Sequence, residues 1–511
     1  MKAEYGLVPH KRPHFHLKES ALYFLISRRA YLNLEPDEEK VWTAIDGNKS
    51  VKEIEDEEPQ AKEILTKFWK KEAIEYAPNS PPAGRRKILI VEPHMDDAIL
   101  SLGATMWNLR NDYEFDVVSV TGRSNFTSYY RLERDYLDTD KVTRLRRDES
   151  ELAMRVLGGT HRVLDQHDAP LRYQPDGWTL EWYRQHRRSI SGYVNHSITS
   201  AELESWVASV SPILQDSTAE EIWIPIGIGS SADHEATRNA CMLAATRNRD
   251  HFKDQKFLFY HEVPYAMNFP WHIREHHQHY REIGVGLTRE DISIDDALKM
   301  KQRLVSIFAS QFKMSYIGPK VEATAKQLAP RGKELGEPLL YLDKLPNRFE
   351  PDSFFSGRRF VEKTLKRLPS WLKAVRKAKK LTLVCPGGFG RWQEDIEPLI
   401  SIMPDLRIEV HLSADALAET ERFKSDLIEL KPVPPSPRAW VTRLISLVRK
   451  QPRPIAILTG RQLEMASPAL RLLFFLSKPL ITAKPAHLAR ALAQSETSRE
   501  NSRNSQPQSI N

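Results

Sequence analysis

The sequence predicts an α/β protein: a mostly parallel sheet covered by helices, with a small helical domain before it and a second α/β domain after it. Apolar runs of strand length alternate with segments of helical periodicity from residue 87 to about residue 260. The first run, Lys87-Ile88-Leu89-Ile90-Val91, ends in Pro93-His94-Met95-Asp96-Asp97, and Ile99, Leu102 and Met106 then follow at the spacing of one helical face. The same order of strand, turn and helix returns at Leu381-Thr382-Leu383-Val384-Cys385, which runs into Pro386-Gly387-Gly388-Phe389-Gly390.

Composition sets the frame. A chain of 511 residues is too long for one ordinary core, and about two to four domains are expected. Its 41% hydrophobic and 28% charged content is that of a globular protein. Cys241 and Cys385 are its 2 cysteines, far apart and without a C-x-x-C, which excludes a disulfide framework or a thiolate zinc site. Met1-Lys2-Ala3-Glu4-Tyr5 has no apolar signal-peptide core, and no stretch approaches the ~18 apolar residues of a membrane span. A cytoplasmic location is the expectation. The net charge of +7 is modest, and no nucleic-acid partner is expected.

Residues 1–80 read as a small separate unit. Helical spacing through Val41, Trp42 and Ile45 stops at Asp46-Gly47, restarts at Ser50-Val51-Lys52-Glu53-Ile54 and continues through Ile64, Leu65 and Phe68 to a short strand, Ala73-Ile74-Glu75-Tyr76. This pattern resembles the PqqD-like winged-helix domains, which implies a peptide or protein partner; a plain capping domain fits the same pattern. Asn79-Ser80-Pro81-Pro82-Ala83-Gly84 is a linker by composition.

The next elements follow in order. Strands are expected at Lys87–Val91, Phe115–Val120, Arg162–Leu164, Glu221–Pro225 and Lys256–Tyr260, with helices through Arg147–Leu157 and Ala201–Val210. Residues 319–380 read as a basic helical linker. Its Arg358–Lys380 part holds one acid, Glu362, and an interrupted apolar stripe, so an anionic membrane surface is a candidate partner and a solvated basic helix the plainer reading. Residues 381–493 form the second α/β domain, whose Gly-rich turn is either a phosphate cradle or a tight structural turn. The polar residues 494–511 read as disordered.

The chemistry gathers at two strand ends. His94 and Asp97, three apart at the start of a helix, can ligate one divalent cation, leaving Asp96 between them as a base. A second apolar strand ends in Pro225-Ile226-Gly227-Ile228-Gly229, and His234 opens the helix beyond it. His94, Asp97 and His234 make a three-ligand set with a position left for water, which points to a catalytic zinc.

P-H-x-D-D before a helix and P-x-G-x-G before D-H resemble the LmbE-like (PIG-L) family of N-acetylglucosaminyl deacetylases. Arg146-Arg147-Asp148-Glu149, Asp168-Ala169-Pro170-Leu171-Arg172, Tyr260-His261-Glu262-Val263-Pro264-Tyr265 and the run from Lys301 to Ser310-Gln311 extend the match over residues 85–318. The resemblance implies a Rossmann-like sheet and a Zn2+ ion on His94, Asp97 and His234, another divalent metal being possible. It implies Asp96 as general base, and Arg147 or Arg146 with Asp168 on sugar hydroxyls. The implied reaction is removal of an N-acetyl group from an N-acetylated amino sugar or glycoconjugate. Zinc would polarise the amide oxygen and lower the pKa of bound water toward ~7.

The sequence departs from the family at two positions. Ala98 stands where a glutamate often follows D-D. Ser231 stands three residues before His234, where the family usually carries a histidine that stabilises the oxyanion or protonates the leaving nitrogen. Losing one such group typically costs ~100- to 1000-fold in rate. Three outcomes are open: His167 or His261 takes over, turnover is slow, or the domain retains metal as a glycan-binding or scaffold protein. Removal of an acyl group other than acetyl fits the same residues.

Overall fold

The N-terminal 80 residues fold around their own core. Strands β1 (Leu7–Lys11), β2 (Phe15–Lys18), β3 (Ala21–Phe24) and β4 (Arg29–Asn33) precede helices α1 (Pro36–Ala44), α2 (Val51–Glu57) and α3 (Ala61–Lys70), and β5 (Ile74–Pro78) returns to pair antiparallel with β1. β2, β3 and β4 form a separate three-stranded antiparallel sheet. Ser50 caps α2 by accepting from Glu53 N, while the Glu53 side chain returns to Ser50 N at 2.7 Å; this reciprocal capping box explains why the helix starts there. Val41, Trp42, Ile54, Leu65 and Phe68 fill the core.

The computed structural model describes residues 4–24, 29–125, 139–172, 200–228, 231–268 and 270–349, with strands 380–384, 407–413, 428–433, 455–458 and 480–483 beyond them. The chain divides into two compact units, one of residues 1–180 and 197–353, the other of 181–196 and 354–511.

After β5 the chain builds the central layer of the first unit. In order come β6 (Arg86–Glu92), α4 (Asp97–Leu109), β7 (Tyr113–Ser119), α5 (Thr139–Leu157), β8 (Thr160–Val163), α6 (Ala169–Arg172), α7 (Ser200–Gln215), β9 (Glu221–Pro225) and α8 (Ala232–Arg247). β10 (Lys256–Tyr260), α9 (Tyr265–Asn268), α10 (Pro270–Glu282), β11 (Leu287–Glu290), α11 (Leu298–Ser306), α12 (Met314–Gln327) and β12 (Leu339–Leu342) complete it. The seven strands lie in the order β11-β12-β10-β9-β6-β7-β8. β10, β9, β6, β7 and β8 are mutually parallel, and β12 is antiparallel to both its neighbours.

Near-continuous apolar strands make sense in a sheet covered on both faces. Ile88 and Ile90 of β6 enter one core with Met106, Leu152 and Leu304, whereas Leu89 and Val91 enter the other with Trp206, Val210 and Met242. Strand alternation thus sends successive side chains to opposite helical layers.

The parallel strands follow the doubly wound order, with β7 and β8 to one side of β6 and β9 and β10 to the other. The chain reverses direction between β6 and β9, and the crevice at the carboxyl ends of those two strands is where such sheets bind ligands.

Residues expected to begin a linker at 319 belong instead to the first unit. α12 continues to Gln327, and β12 is inserted between β10 and β11. Leu339, Leu340 and Leu342 are buried there, an apolar run whose partner strands lie about 50 to 80 residues away in sequence. Residues 350–379, including the basic segment 358–379, lie outside the described residues.

In the second unit, β13 (Lys380–Val384), β14 (Arg407–Ser413), β15 (Ile428–Val433), β16 (Ile455–Leu458) and β17 (Leu480–Ala483) form a parallel sheet of order β15-β14-β13-β16-β17. This repeats the strand order of the parallel part of the first sheet. The Gly-rich run 386–390 and the tail 494–511 lie outside the described residues.

Candidate metal centre

His94, Asp96 and Asp97 leave the carboxyl end of β6, and Ser231, Asp233 and His234 lie at the start of the helix that follows β9. The crevice between these neighbouring strands brings the two segments together. His94, Asp97 and His234 each offer one ligand atom, all within 4.8 Å of one another. Asp97 Oδ2 is the hub: it lies 3.0 Å from His94 N, 2.9 Å from His94 Nδ1 and 3.4 Å from His234 Nε2.

Each imidazole is backed by a buried carboxylate on its other nitrogen. His94 Nε2 lies 3.0 Å from Asp233 Oδ2, and His234 Nδ1 lies 3.4 Å from Glu262 Oε1. Asp233 also accepts from Ala169 N at 2.9 Å and pairs with Arg172; Glu262 accepts from Gly227 N and Ile228 N at 2.6 and 3.1 Å. Carboxylates behind metal-facing histidines fix ring orientation and raise ligand basicity. Asp233 and Glu262 stand inside the motifs noted in the sequence, but their roles are visible only across the fold.

The donor set fits a divalent cation. Asp96, Asp97, Asp168, Asp233 and Glu262 are all buried, against the guanidinium groups of Arg146 and Arg172. Burial disfavours the charged form of His94, but the hydrogen bonds to Asp233 and Asp97 win and raise its pKa well above the ordinary value. The buried carboxylates around His94 thus favour positive charge at this point.

Asp96 stands at the N-cap of α4 beside this set, buried, with Arg146 Nη2 at 3.4 Å. Burial raises its pKa, Arg146 opposes, and Asp97 raises it further. Its pKa thereby moves toward the neutral range, where a group that must first take and then give up a proton works best. Arg146 Nη1 donates to Ser124 Oγ at 2.8 Å and lies 3.8 Å from Asp168, which Ser124 also contacts. Arg147 is exposed. Of the two adjacent arginines it is therefore Arg146 that faces the site, since successive residues of a helix point about 100° apart.

The two histidines expected to substitute for the missing one are placed differently. His167 is exposed. His261 Nδ1 is engaged by the Pro338 carbonyl at 2.9 Å, and burial lowers its pKa to about 4, leaving it neutral near pH 7. Ser231 is buried at the N-cap of α8 without its side chain capping the helix.

Fold and site together define a doubly wound α/β domain with a two-histidine, one-carboxylate centre at its switch point. Residues 89–245 match the PIG-L family model, described as GlcNAc-PI de-N-acetylase. Similar solved structures include a deacetylase from the biosynthesis pathway of teicoplanin, with 20% identity and a TM-score of 0.36 over 50% of this chain and 98% of that one. Another is N,N'-diacetylchitobiose deacetylase from Pyrococcus horikoshii, with 16% identity and a TM-score of 0.34 over 55% and 90%. A third is the 4-carboxy-2-hydroxymuconate hydratase of Pseudomonas putida KT2440, with 13% identity and a TM-score of 0.35 over 52% and 98%. No curated protein matches the chain. Among the described residues, no helix is long and apolar enough to cross a membrane.

Proposed function

We propose that this protein is a zinc-dependent de-N-acetylase that hydrolyses the acetamido group of an N-acetylated amino sugar or its conjugate. The observation that carries this reading is the convergence of His94, Asp97 and His234 beside the carboxylate of Asp96. The PIG-L match over residues 89–245 supports the same reaction class.

A bound divalent cation would polarise the amide carbonyl and acidify a water molecule. Asp96 takes the proton of the attacking water, and its carboxyl returns that proton to the nitrogen as the C–N bond breaks, so acetate and a free amine leave. Arg146 holds Asp96 in place, and Arg146 and Asp168 present hydrogen-bonding groups to ring hydroxyls. The hydroxyl of Ser231 can donate a hydrogen bond at the place of the usual histidine but supplies no proton near neutral pH. Proton return therefore falls to Asp96 alone.

Ser231 also favours a second reading, a PIG-L domain that binds metal and glycan without efficient turnover. Metal analysis of the purified protein, with acetate release from a panel of N-acetylglucosamine conjugates, separates the two. Turnover that disappears in Asp96→Ala while zinc is retained supports the deacetylase. Zinc without turnover across the panel supports the binding protein, and a chain that takes up no zinc overturns the ligand assignment.

A further inference from the structure

The N-terminal unit reaches into the wall of the site. Its Arg12, 2% exposed, pairs with Glu75 and donates from Nη1 to the Ser306 carbonyl and from Nη2 to Ser306 Oγ, at 3.0 and 2.9 Å. From the other side Arg303 Nε donates to Glu75 Oε2 at 2.8 Å and Arg303 Nη2 to the Trp69 carbonyl at 2.9 Å. This buried network joins β5 and the segment after β1 to α11.

Beside Arg12, the ring of His14 is 1% exposed and packed between Phe15 and Phe24. Its Nδ1 makes no hydrogen bond and lies 3.9 Å from Glu149 Oε1. Glu149 is fully buried and accepts from Ser310 N and Ser310 Oγ at 2.8 and 2.6 Å. It sits on α5 one turn beyond Arg146, the arginine that contacts Asp96.

We infer that residues 1–80 are a working part of the site, His14 and Glu149 forming a buried positioning pair that sets how Arg146 divides its guanidinium between Asp96 and Asp168. The groups facing Glu149 are His14 from the N-terminal unit, Arg146 from its own helix, Asp96 from the metal loop and the hydroxyl of Ser310. Burial pushes the Glu149 carboxyl up to about 8, the Ser310 bonds and Arg146 oppose, and Asp96 adds to the rise. Burial, with Arg12 adding, holds His14 well below its ordinary value. Near pH 7 the pair is a neutral acid facing a neutral imidazole. When Glu149 ionises, a negative charge appears one turn from Arg146 and draws the guanidinium away from Asp96. The N-terminal unit keeps that carboxyl dry.

The inference rests on Asp96 being the base, and its test separates the two claims. Activity against pH is measured for the wild type, Glu149→Gln and His14→Phe in the full chain, together with zinc content and melting temperature. The wild type is expected to lose kcat above pH 8. Glu149→Gln should hold zinc, stay within about threefold of wild type at pH 7 and exceed it about tenfold at pH 9, because the ionising group is gone. His14→Phe retains the ring packing and should move the alkaline limb upward. An alkaline limb identical in all three overturns the pair while leaving the deacetylase intact. Absence of wild-type turnover across the substrate panel counts against the deacetylase alone, and the His14 ring signals in NMR then decide the inference. A shift near pH 8 that vanishes in Glu149→Gln upholds it, and signals that show no such step overturn it.

Discussion

Asp233 immediately precedes His234 but hydrogen-bonds to His94, its Oδ2 lying 3.0 Å from His94 Nε2. The segment after β9 thus carries both His234, one of the proposed ligands, and the carboxylate that orients His94, another on the segment after β6. Asp233→Asn retains the shape and removes the charge. Metal affinity is expected to fall ~10- to 100-fold, as for other groups behind metal-facing histidines, read by competition with a chromophoric chelator. An unchanged affinity in the folded variant would show that Asp233 serves only α6 and Arg172.

Arg146 and Arg147 offer a direct comparison. Hydrogen bonds to charged groups contribute about 1.5–3 kcal/mol, so Arg146→Ala is expected to lower kcat/KM ~10- to 100-fold. Arg147→Ala, on the exposed side of α5, should change it less than about twofold. Equal losses from both variants would refute the assignment of Arg146.

The role of Ser231 is tested by addition. Ser231→His restores an imidazole at the N-cap of α8, three residues before His234. If the missing acid limits turnover, the rate should rise ~100-fold or more. A rate that does not move would mean that Asp96 alone carries the proton efficiently.

Stability should depend on pH through Glu149. A carboxyl whose folded pKa is raised to about 8 binds more protons folded than unfolded between about pH 4.5 and 8. Its contribution is complete below that window and is lost as pH rises through it. Melting temperatures of the wild type should fall across this range more steeply than those of Glu149→Gln. Parallel curves would mean that Glu149 titrates normally.

A buried ion pair braces α4, the helix that follows His94 and Asp96. Lys301 and Glu337, 1% and 3% exposed, pair beside α4: Glu337 accepts from Thr105 N at 2.7 Å, and Lys301 Nζ donates to the Ser101 carbonyl at 3.3 Å. Lys301→Met leaves Glu337 buried and unpaired, and a loss of about 3–5 kcal/mol is expected in urea unfolding. A loss under about 1 kcal/mol would show that water reaches the pair.

The sequence by itself determined the α/β class and the parallel strands, because strands buried on both faces must be apolar throughout and their ends must carry turn residues. It also pointed to the cluster of His94, Asp97 and His234, since histidines and carboxylates grouped at strand ends leave a dense local signature. Other features depended on contacts between residues far apart in the chain, which local patterns do not encode. Helical phase alone does not say which of two adjacent arginines faces inward; the packing of α5 selected Arg146. His261 looked available in its motif, but the Pro338 carbonyl, 77 residues away, claims it. β12 falls where a basic linker was expected, because only its pairing with β10 and β11 makes it a strand. The meeting of His14 with Glu149 is the furthest from any sequence signal, since each becomes informative only when burial removes the water that would otherwise solvate it.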